Sequence, residues 1–155
     1  MTTITPAIPD DAGPAAAAMR RYLESFTEGD MNKLIGLFAE NAVVEFPYAF
    51  GAMPKRLEGT EAIARYYGPS PDLFDFRAYE DVAVYPVAGG ETAFAEFTSD
   101  ATVRETGADY PMRYAALMRV KDGEIVHYTE YWDASLLRSA FGSDEAVGAG
   151  LNARD

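Results

Sequence analysis

The first part of the chain has apolar residues at the spacing of α-helices. Pro14 suits the first turn of a helix and Gly29 suits its end. Between them, the apolar residues that recur at i, i+3, i+4 and i+7 are Met19, Tyr22, Leu23 and Phe26. Asp30 is a typical N-cap residue. After it, the apolar side of a second predicted helix is formed by Met31, Leu34, Ile35 and Phe38.

The next segment predicts a short strand, a connection and a third helix. Residues 41–48 are rich in β-branched side chains, which indicates a strand that ends at Pro47. Residues 49–59 carry turn residues and predict an irregular connection. Residues 60–68 predict a helix that stops at Gly68-Pro69, and its apolar side is formed by Ile63, Tyr66 and Tyr67.

The remaining pattern is typical of antiparallel strands. Strands are predicted over residues 76–87, 91–107, 110–120 and 124–133. Asp122-Gly123 is a strong signal for a tight hairpin between the last two, and residues 135–141 can add a helical turn. Helices followed by a run of strands predict an α+β domain in which the helices pack on one face of the sheet. If that sheet is curved, it encloses a pocket between itself and the helices.

Length and charge restrict the organisation and the partners. We expect a single domain over residues 14–141, a disordered leader over residues 1–13 and a flexible tail over residues 142–155. The formal net charge is -12, which disfavours nucleic acid and membrane surfaces as partners. The N-terminal residues do not match a signal peptide and no apolar run is long enough for a membrane span, so we expect a cytoplasmic protein.

The scarcity of metal-binding side chains restricts the chemistry. The chain has no cysteine and a single histidine, His127, which excludes thiolate zinc sites and His-rich metal sites. Neither a Gly-rich dinucleotide loop nor a P-loop occurs in the sequence. We therefore expect an activity that needs no metal and no organic cofactor.

The last predicted strand carries a carboxyl group between aromatic residues. Side chains alternate along a strand, so in HYTEYWD (residues 127–133) Glu130 shares its face with Tyr128 and Trp132, and His127 lies on the other face. Burial among aromatic rings disfavours the charged carboxylate and raises its pKa, which suits a general acid/base. The alternative is a structural carboxylate that pairs with one of three basic residues, Arg65, Arg77 or Arg113.

Three segments resemble the nuclear transport factor 2-like superfamily, and they are RYLESFTEGDMNKLIGLFAENAVVEFP, EGTEAIARYY and ALMRVKDGEIVHYTEYWD. Within it they are most similar to the SnoaL-like branch, which includes polyketide cyclases and phenazine-biosynthesis A/B proteins. Ketosteroid isomerase and limonene epoxide hydrolase are more distant members. The resemblance implies a cone-shaped, curved antiparallel sheet wrapped around about three helices, with a mouth open to ligand. It indicates the fold more specifically than the activity, because this fold hosts many functions.

The resemblance also implies which strand faces point into the cone. In the last strand these are Tyr128, Glu130 and Trp132. In the strand before it they are Met112, Tyr114, Ala116 and Met118. In the strand over residues 91–107, in the absence of a bulge, they are Phe94, Glu96, Thr98 and Asp100.

Carried over residue by residue, the resemblance supports Glu130 best. This residue coincides with the acid that SnoaL-type cyclases, epoxide hydrolases and phenazine A/B proteins place on the last strand. Tyr22 coincides with the oxyanion-hole tyrosine of the isomerases. Their general base and their protonated aspartic acid, however, fall on Phe46 and Ala116, so the isomerase mechanism is not implied. The Arg-x-Asp pair of the epoxide hydrolases has no counterpart on a strand.

The candidate site follows from these assignments. The predicted catalytic residues are Glu130 as general acid/base, Tyr22 as a hydrogen-bond donor to a developing enolate, and Glu96 as a second carboxylate. For Glu96 and Asp100 the alternatives are a solvated strand edge or a register slip that turns them outward. The predicted ligand-binding residues are Phe46, Met53, Tyr67, Asp100, Met112, Tyr114, Ala116, Met118, Tyr128 and Trp132.

These residues favour a small-molecule enzyme that cyclises, isomerises or dehydrates a polyketide-like or aromatic intermediate. A non-catalytic binding module for a hydrophobic molecule and an interaction domain that uses the outer sheet face are the alternatives. We also expect a homodimer built on that outer face, toward which Ala115, Leu117, Tyr131 and His127 point. Arg56 is expected to be a solvated loop charge rather than a residue of the cavity mouth.

Overall fold

The computed structural model describes residues 11–151. Its helices are α1 (Pro14–Glu28), α2 (Met31–Ile35), α3 (Gly59–Tyr67), α4 (Ser70–Leu73), α5 (Ala134–Phe141) and α6 (Asp144–Leu151). Its strands are β1 (Phe38–Glu45), β2 (Arg56–Glu58), β3 (Phe74–Pro86), β4 (Thr92–Val103), β5 (Arg113–Lys121) and β6 (Glu124–Tyr131). The α+β class expected from the sequence is confirmed.

All six strands belong to one sheet in the order β2-β1-β6-β5-β4-β3. Neighbouring strands run antiparallel except β1 and β6, which run parallel, so the sheet is mixed. This pairing brings the last strand into the interior of the sheet and sets Val44 beside Tyr128. Glu130 therefore lies on an interior strand, where one face is covered by helices.

Helix α1 crosses the inner face of the sheet and contacts β3, β4, β5 and β6, and α3 packs on β1 and β2. The residues predicted to form the apolar side of α1 are all buried. Gly29 ends the helix in the left-handed conformation, with a φ of 69°, which glycine adopts at little cost. The Asp122-Gly123 hairpin is also confirmed, because both residues have the positive φ angles that a two-residue β-turn requires.

Several element boundaries differ from the sequence-based ones because strand pairing overrides local spacing. Asp30 caps α2 as predicted, and its side chain accepts a hydrogen bond from the backbone N–H of Lys33. The helix nevertheless ends at Ile35, and Phe38 begins β1, where it is paired with Ile125. The connection predicted over residues 49–59 contains β2, which pairs with β1.

The C-terminal segment also differs from the prediction of a flexible tail over residues 142–155. Residues Asp144–Leu151 form α6, in which Val147 and Leu151 are buried. Gly148 and Gly150 allow this helix to approach Ala52 and Phe141 closely, since a Cβ at either glycine would contact those side chains. The leader predicted over residues 1–13 lies largely outside the described residues, as do residues 152–155.

The inward faces predicted for the last two strands are confirmed. Met112, Tyr114, Ala116 and Met118 are each at most 8% exposed. On β6 and just after it, Tyr128, Glu130 and Trp132 are each at most 9% exposed. A carboxyl group therefore lies in the protein interior, between two aromatic side chains.

The face predicted for β4 is wrong. The buried side chains of this strand are Ala93, Ala95, Phe97, Ser99, Ala101 and Val103. Phe94, Glu96, Thr98 and Asp100 lie on the outer face, where Glu96 pairs with Arg113 at 2.9 Å. The physical reason is the side-chain pattern: the small apolar residues alternate with the polar ones, and α1 packs against the small ones.

No helix within residues 11–151 is long and apolar enough to cross a membrane.

The corrected face of β4 can be tested by paired truncations. We expect Phe97→Ala to lower the free energy of unfolding by about 3–5 kcal/mol, because it opens a cavity in the core. Phe94→Ala, on the outer face, should lower it by only about 1 kcal/mol. Urea unfolding followed by circular dichroism measures both. A larger loss for Phe94→Ala than for Phe97→Ala would contradict this assignment.

Candidate functional site

A cavity opens between the inner face of the sheet, helix α1, helix α3 and the C-terminal helices. Twelve of its eighteen lining residues are aromatic. Among the lining residues, all of which fall within the described part of the chain, Glu130 is the one acid and none is Lys or Arg. The accessible volume of the cavity is about 70 Å³, which is room for several water molecules.

Glu130 is held from one side by tyrosine hydroxyl groups. The Tyr128 hydroxyl donates to Oε2 of Glu130 at 2.6 Å, and the Tyr22 hydroxyl donates to the same oxygen at 3.3 Å. Among residues 11–151, no side chain or backbone group makes a hydrogen bond to Oε1. Oε1 is therefore the carboxyl oxygen available to a ligand, while Oε2 is fixed by the protein.

The charge state of Glu130 is set by burial. Burial raises its pKa to about 7, and the hydrogen bonds from Tyr128 and Tyr22 act in the opposite direction because they favour the carboxylate. Near neutral pH both the protonated and the ionised carboxyl are populated. This is the condition under which one group can accept a proton in one step and return it in the next.

Tyr22 is bound into this hydrogen-bond network rather than free to face a ligand. Its hydroxyl lies 3.1 Å from that of Tyr67. When Tyr22 donates to Glu130, Tyr67 must donate to Tyr22, since each hydroxyl has one proton. In this conformation Tyr22 positions the carboxyl group, whereas the sequence predicts that it donates to a developing enolate. Burial and the nearby Glu130 charge raise the pKa of Tyr22 well above its usual value, so it stays protonated.

The structure brings many of the predicted site residues together at this cavity. Those that line it are Tyr22, Phe46, Met53, Tyr67, Tyr114, Glu130 and Trp132. Four predicted ligand-binding residues are buried but are not part of the lining: Met112, Ala116, Met118 and Tyr128. Of these, Tyr128 still acts on the site through its hydrogen bond to Glu130.

Two predicted site residues are not in the cavity. Glu96 and Asp100 lie on the outer face of β4, where their carboxylates pair with Arg113 and Arg77, both at 2.9 Å. Their assignment to the site followed from the wrong face of the strand, and the structure does not bring either carboxylate to this cavity. Glu130 has no second carboxylate beside it in the cavity.

Sequence reasoning missed lining residues on β3, on β4 and near the C-terminus. Tyr79 and Phe76 come from β3, Phe97 from the buried face of β4 and Leu151 from α6. Phe97 was detectable from the alternation of small apolar and polar residues in β4. Bulges in β3, where the register shifts twice, remove the simple alternation that would have identified Tyr79.

The alternative in which Glu130 pairs with an arginine is contradicted by where the three arginines lie. Arg77 and Arg113 form their ion pairs on the outer face, and Arg65 pairs with Glu61 on the surface of α3 at 3.0 Å. The partners of the Glu130 carboxyl group are tyrosines.

The outer face of the sheet carries a separate polar cluster. His127 lies there as predicted, and its ring nitrogens are 2.7 Å from Glu45 Oε1 and 2.7 Å from an Arg119 nitrogen. Arg56 is exposed, as expected, and pairs with Glu58 and Glu45. Within residues 11–151, no group of three or more His, Asp and Glu side chains is arranged to hold a metal ion.

Comparison with known proteins identifies the family to which this geometry corresponds. The model of the SnoaL-like domain matches residues 19–128. The uncharacterized protein YesE of Bacillus subtilis (strain 168) is 38% identical over 128 residues, which are 83% of this chain and 87% of that protein. An uncharacterized PhzA/B-like protein of Pseudomonas aeruginosa is 32% identical over 127 residues, which are 82% of this chain and 87% of that protein.

Solved structures agree with this fold. A provisionally named isomerase from Bacillus subtilis has a TM-score of 0.81 and 35% identity, and the match covers 91% of this chain and 96% of that one. A provisionally named polyketide cyclase from Pseudomonas putida has a TM-score of 0.68 at 19% identity, over 83% and 97% of the two chains. A Mycobacterium tuberculosis protein in complex with estradiol-17beta-hemisuccinate has a TM-score of 0.68 at 16% identity, over 80% and 97%. The last two show the fold alone.

The buried carboxyl group makes stability depend on pH in a predictable direction. The pKa of Glu130 is about 7 in the folded protein, against 4.5 for the ordinary group. Between these values the folded state holds a proton that the unfolded chain has released, so rising pH favours unfolding. The wild type should therefore lose about 3 kcal/mol of unfolding free energy relative to Glu130→Gln between about pH 4.5 and about pH 8. Urea unfolding at each pH measures this difference.

The control for that experiment is Glu96→Gln, which removes an acidic charge from the outer face. A difference between wild type and Glu130→Gln that does not change with pH would show that the carboxyl group titrates normally and that burial does not control it.

Proposed function

We propose that this chain, which belongs to the SnoaL-like domain family, is an enzyme that transfers protons on a small, neutral, aromatic or polyketide-like molecule. The observation that carries the proposal is the buried Glu130 carboxyl group, which has a pKa of about 7 and one free oxygen facing an aromatic cavity. The provisional names of two structural neighbours, isomerase and polyketide cyclase, agree with this class of chemistry.

The reaction begins with proton abstraction from carbon. Oε1 of Glu130 takes a proton from the carbon next to a carbonyl group, and the electron pair of the broken C–H bond moves to the carbonyl oxygen as an enolate. Return of the proton at another carbon isomerises the substrate. Attack of the enolate carbon on a second carbonyl carbon closes a ring, and the alkoxide so formed takes the proton from Glu130. An enolate that carries a β-hydroxyl group can instead expel that group, which takes the Glu130 proton and leaves as water. Each of these outcomes regenerates the Glu130 carboxylate without an oxidant or reductant.

The residues that line the cavity favour a substrate without a net charge. An anionic ligand would meet no Lys or Arg among the lining residues within residues 11–151, and it would meet the partly ionised Glu130. Aromatic rings on most of the wall favour a flat, apolar molecule, as ligand pockets commonly do. We therefore infer a neutral substrate.

A proton-transfer assay tests the proposal without knowledge of the natural substrate. A panel of neutral aryl ketones of graded size is incubated with the protein in D₂O, and exchange at the carbon next to the carbonyl is followed by NMR. For any ketone that the wild type exchanges, Glu130→Gln should lower the rate by about 10²-fold or more, because the acid/base is lost. The wild-type rate should rise with pH and level off above about pH 7, where Glu130 is ionised.

Glu96→Gln is the matched control, since it makes the same change on the outer face and should leave the exchange rate unchanged. Retention of exchange in Glu130→Gln would contradict the catalytic assignment. If the wild type binds ketones tightly but does not exchange their protons, the second candidate function is favoured, which is a non-catalytic binding module. The aromatic lining of the cavity would suffice for such binding.

We further propose a homodimer that forms through the outer face of the sheet. Leu117 and Tyr131 are 40% and 38% exposed there, although both are large apolar residues on neighbouring strands. Analytical ultracentrifugation should give twice the 16.9 kDa chain mass, and Leu117→Lys should shift the protein toward the monomer. A wild type that sediments as a monomer at micromolar concentration would contradict the proposal.

A further inference from the structure

The tyrosines of the cavity fall into two classes according to their hydrogen bonds. Six of them line it: Tyr22, Tyr66, Tyr67, Tyr79, Tyr110 and Tyr114. Tyr22 and Tyr67 belong to the network that holds Glu130. Side-chain hydrogen bonding from Ser99 acts to lower the pKa of Tyr114, and that from Tyr114 acts to lower the pKa of Tyr110, although burial raises both. No side-chain hydrogen bond acts on the pKa of Tyr66 or Tyr79, whose hydroxyl groups have no hydrogen-bond partner among residues 11–151.

Tyr79 is fixed by packing while its hydroxyl group has no protein partner. The side chain projects from β3 and is 3% exposed. Its ring packs edge-on against Phe97 at 5.5 Å between centroids and stacks on Phe76 at 5.9 Å. Tyr79 lines the cavity, and a hydroxyl group at a cavity wall that has no protein partner is normally satisfied by water or by a ligand. The structure therefore holds a donor in place for something that occupies the cavity.

Tyr66 is the corresponding group on the other side of the cavity. It projects from α3, and its ring packs against Phe46 at 5.1 Å and Tyr67 at 5.3 Å between centroids. Helix α3 covers β1, and β1 and β3 lie on opposite sides of β6 in the sheet. Tyr66 and Tyr79 therefore approach the cavity from opposite sides of Glu130.

Both hydroxyl groups remain protonated near the carboxyl group. Burial and the charge of Glu130 raise the pKa of Tyr66 and of Tyr79 far above neutrality, so each carries a proton that it can donate. A neutral hydroxyl group that is held in place at the cavity wall discriminates between ligands, because a ligand without a matching oxygen leaves it unsatisfied.

We propose that Tyr66 and Tyr79 donate hydrogen bonds to two separate oxygen atoms of the ligand, on either side of the atom that faces Glu130. The ligand is then a neutral cyclic compound with two carbonyl or hydroxyl oxygens, and neither a hydrocarbon nor a carboxylate satisfies the site. This inference rests on the proposed function only in that the cavity binds a small molecule. It does not require that Glu130 catalyse a reaction.

A shape-matched series of probes tests it. The compounds are 1,3-diethylbenzene, 3-ethylacetophenone and 1,3-diacetylbenzene, which have nearly the same outline and carry none, one and two carbonyl oxygens. Trp132 is the single tryptophan of the chain and lines the cavity. Protein labelled with ¹⁵N-tryptophan therefore gives one indole resonance that reports on occupation of the cavity. The variants are Tyr66→Phe and Tyr79→Phe, with Tyr85→Phe as control, since Tyr85 is 56% exposed on the surface.

The wild type should bind the diketone more tightly than the hydrocarbon, by about two- to tenfold for each oxygen. Tyr66→Phe and Tyr79→Phe should each bind the diketone about two- to tenfold more weakly than the wild type does, and each should bind the hydrocarbon with unchanged affinity. Tyr85→Phe should match the wild type with all three probes. The ligand-free midpoint of thermal unfolding should not fall in Tyr66→Phe or Tyr79→Phe, because neither hydroxyl has a protein partner to lose, whereas it should fall in Tyr128→Phe.

The outcomes separate this inference from the proposed function. Binding of all three probes with equal affinity would overturn the inference and leave the cavity as a site for apolar molecules. A midpoint in Tyr79→Phe that falls as far as in Tyr128→Phe would assign the hydroxyl to protein packing and would also overturn it. Failure of every probe to shift the Trp132 resonance would overturn both the inference and the proposal that the cavity binds small neutral molecules.

Discussion

The burial of one carboxyl group among aromatic rings is the constraint on which the rest of this structure depends. Transfer of an ionised glutamate from water into such surroundings is unfavourable, and two responses are available to the protein. It can supply hydrogen-bond donors, as Tyr22 and Tyr128 do, or it can let the group take up a proton. Near neutral pH the Glu130 carboxyl group is therefore partly protonated and partly ionised. A salt bridge to an arginine would have prevented this by fixing the charged form.

The arrangement of the donors gives the two oxygens of the Glu130 carboxyl group different surroundings. Both tyrosine hydroxyls reach Oε2, so the protein fixes the plane of the carboxyl group through one oxygen and leaves the other for a ligand. The donors come from α1 and from β6 itself, with Tyr67 of α3 behind Tyr22. Three elements that meet on the inner face of the sheet thus orient a single side chain. Tyrosines that look like ordinary core aromatics therefore also orient the Glu130 carboxyl group.

Much of the fold could be predicted from the sequence, and the failures have physical causes. The apolar spacing of α1, the hairpin at Asp122-Gly123 and the inward position of Glu130 depend on local periodicity, which a sequence shows directly. The parallel pairing of β1 with β6, which ends α2 early, depends on residues far away along the chain. The buried face of β4 could have been predicted from its small apolar residues, such as Ala95. The prediction followed the family resemblance instead, which placed the alternate residues of the strand inward. Tyr79 could not be found because it follows a bulge in β3.

The parallel pairing of β1 with β6 also has a consequence for how the chain reaches its folded state. Tyr22 and Glu130 are 108 residues apart, and the sheet between them is complete only when β6 inserts beside β1. Contacts between residues so far apart in the chain are entropically costly to form and tend to form late. The hydrogen bond between Tyr22 and Glu130 therefore cannot form on a nascent chain that lacks β6. During synthesis the Tyr22 hydroxyl lacks its Glu130 partner until β6 has been translated.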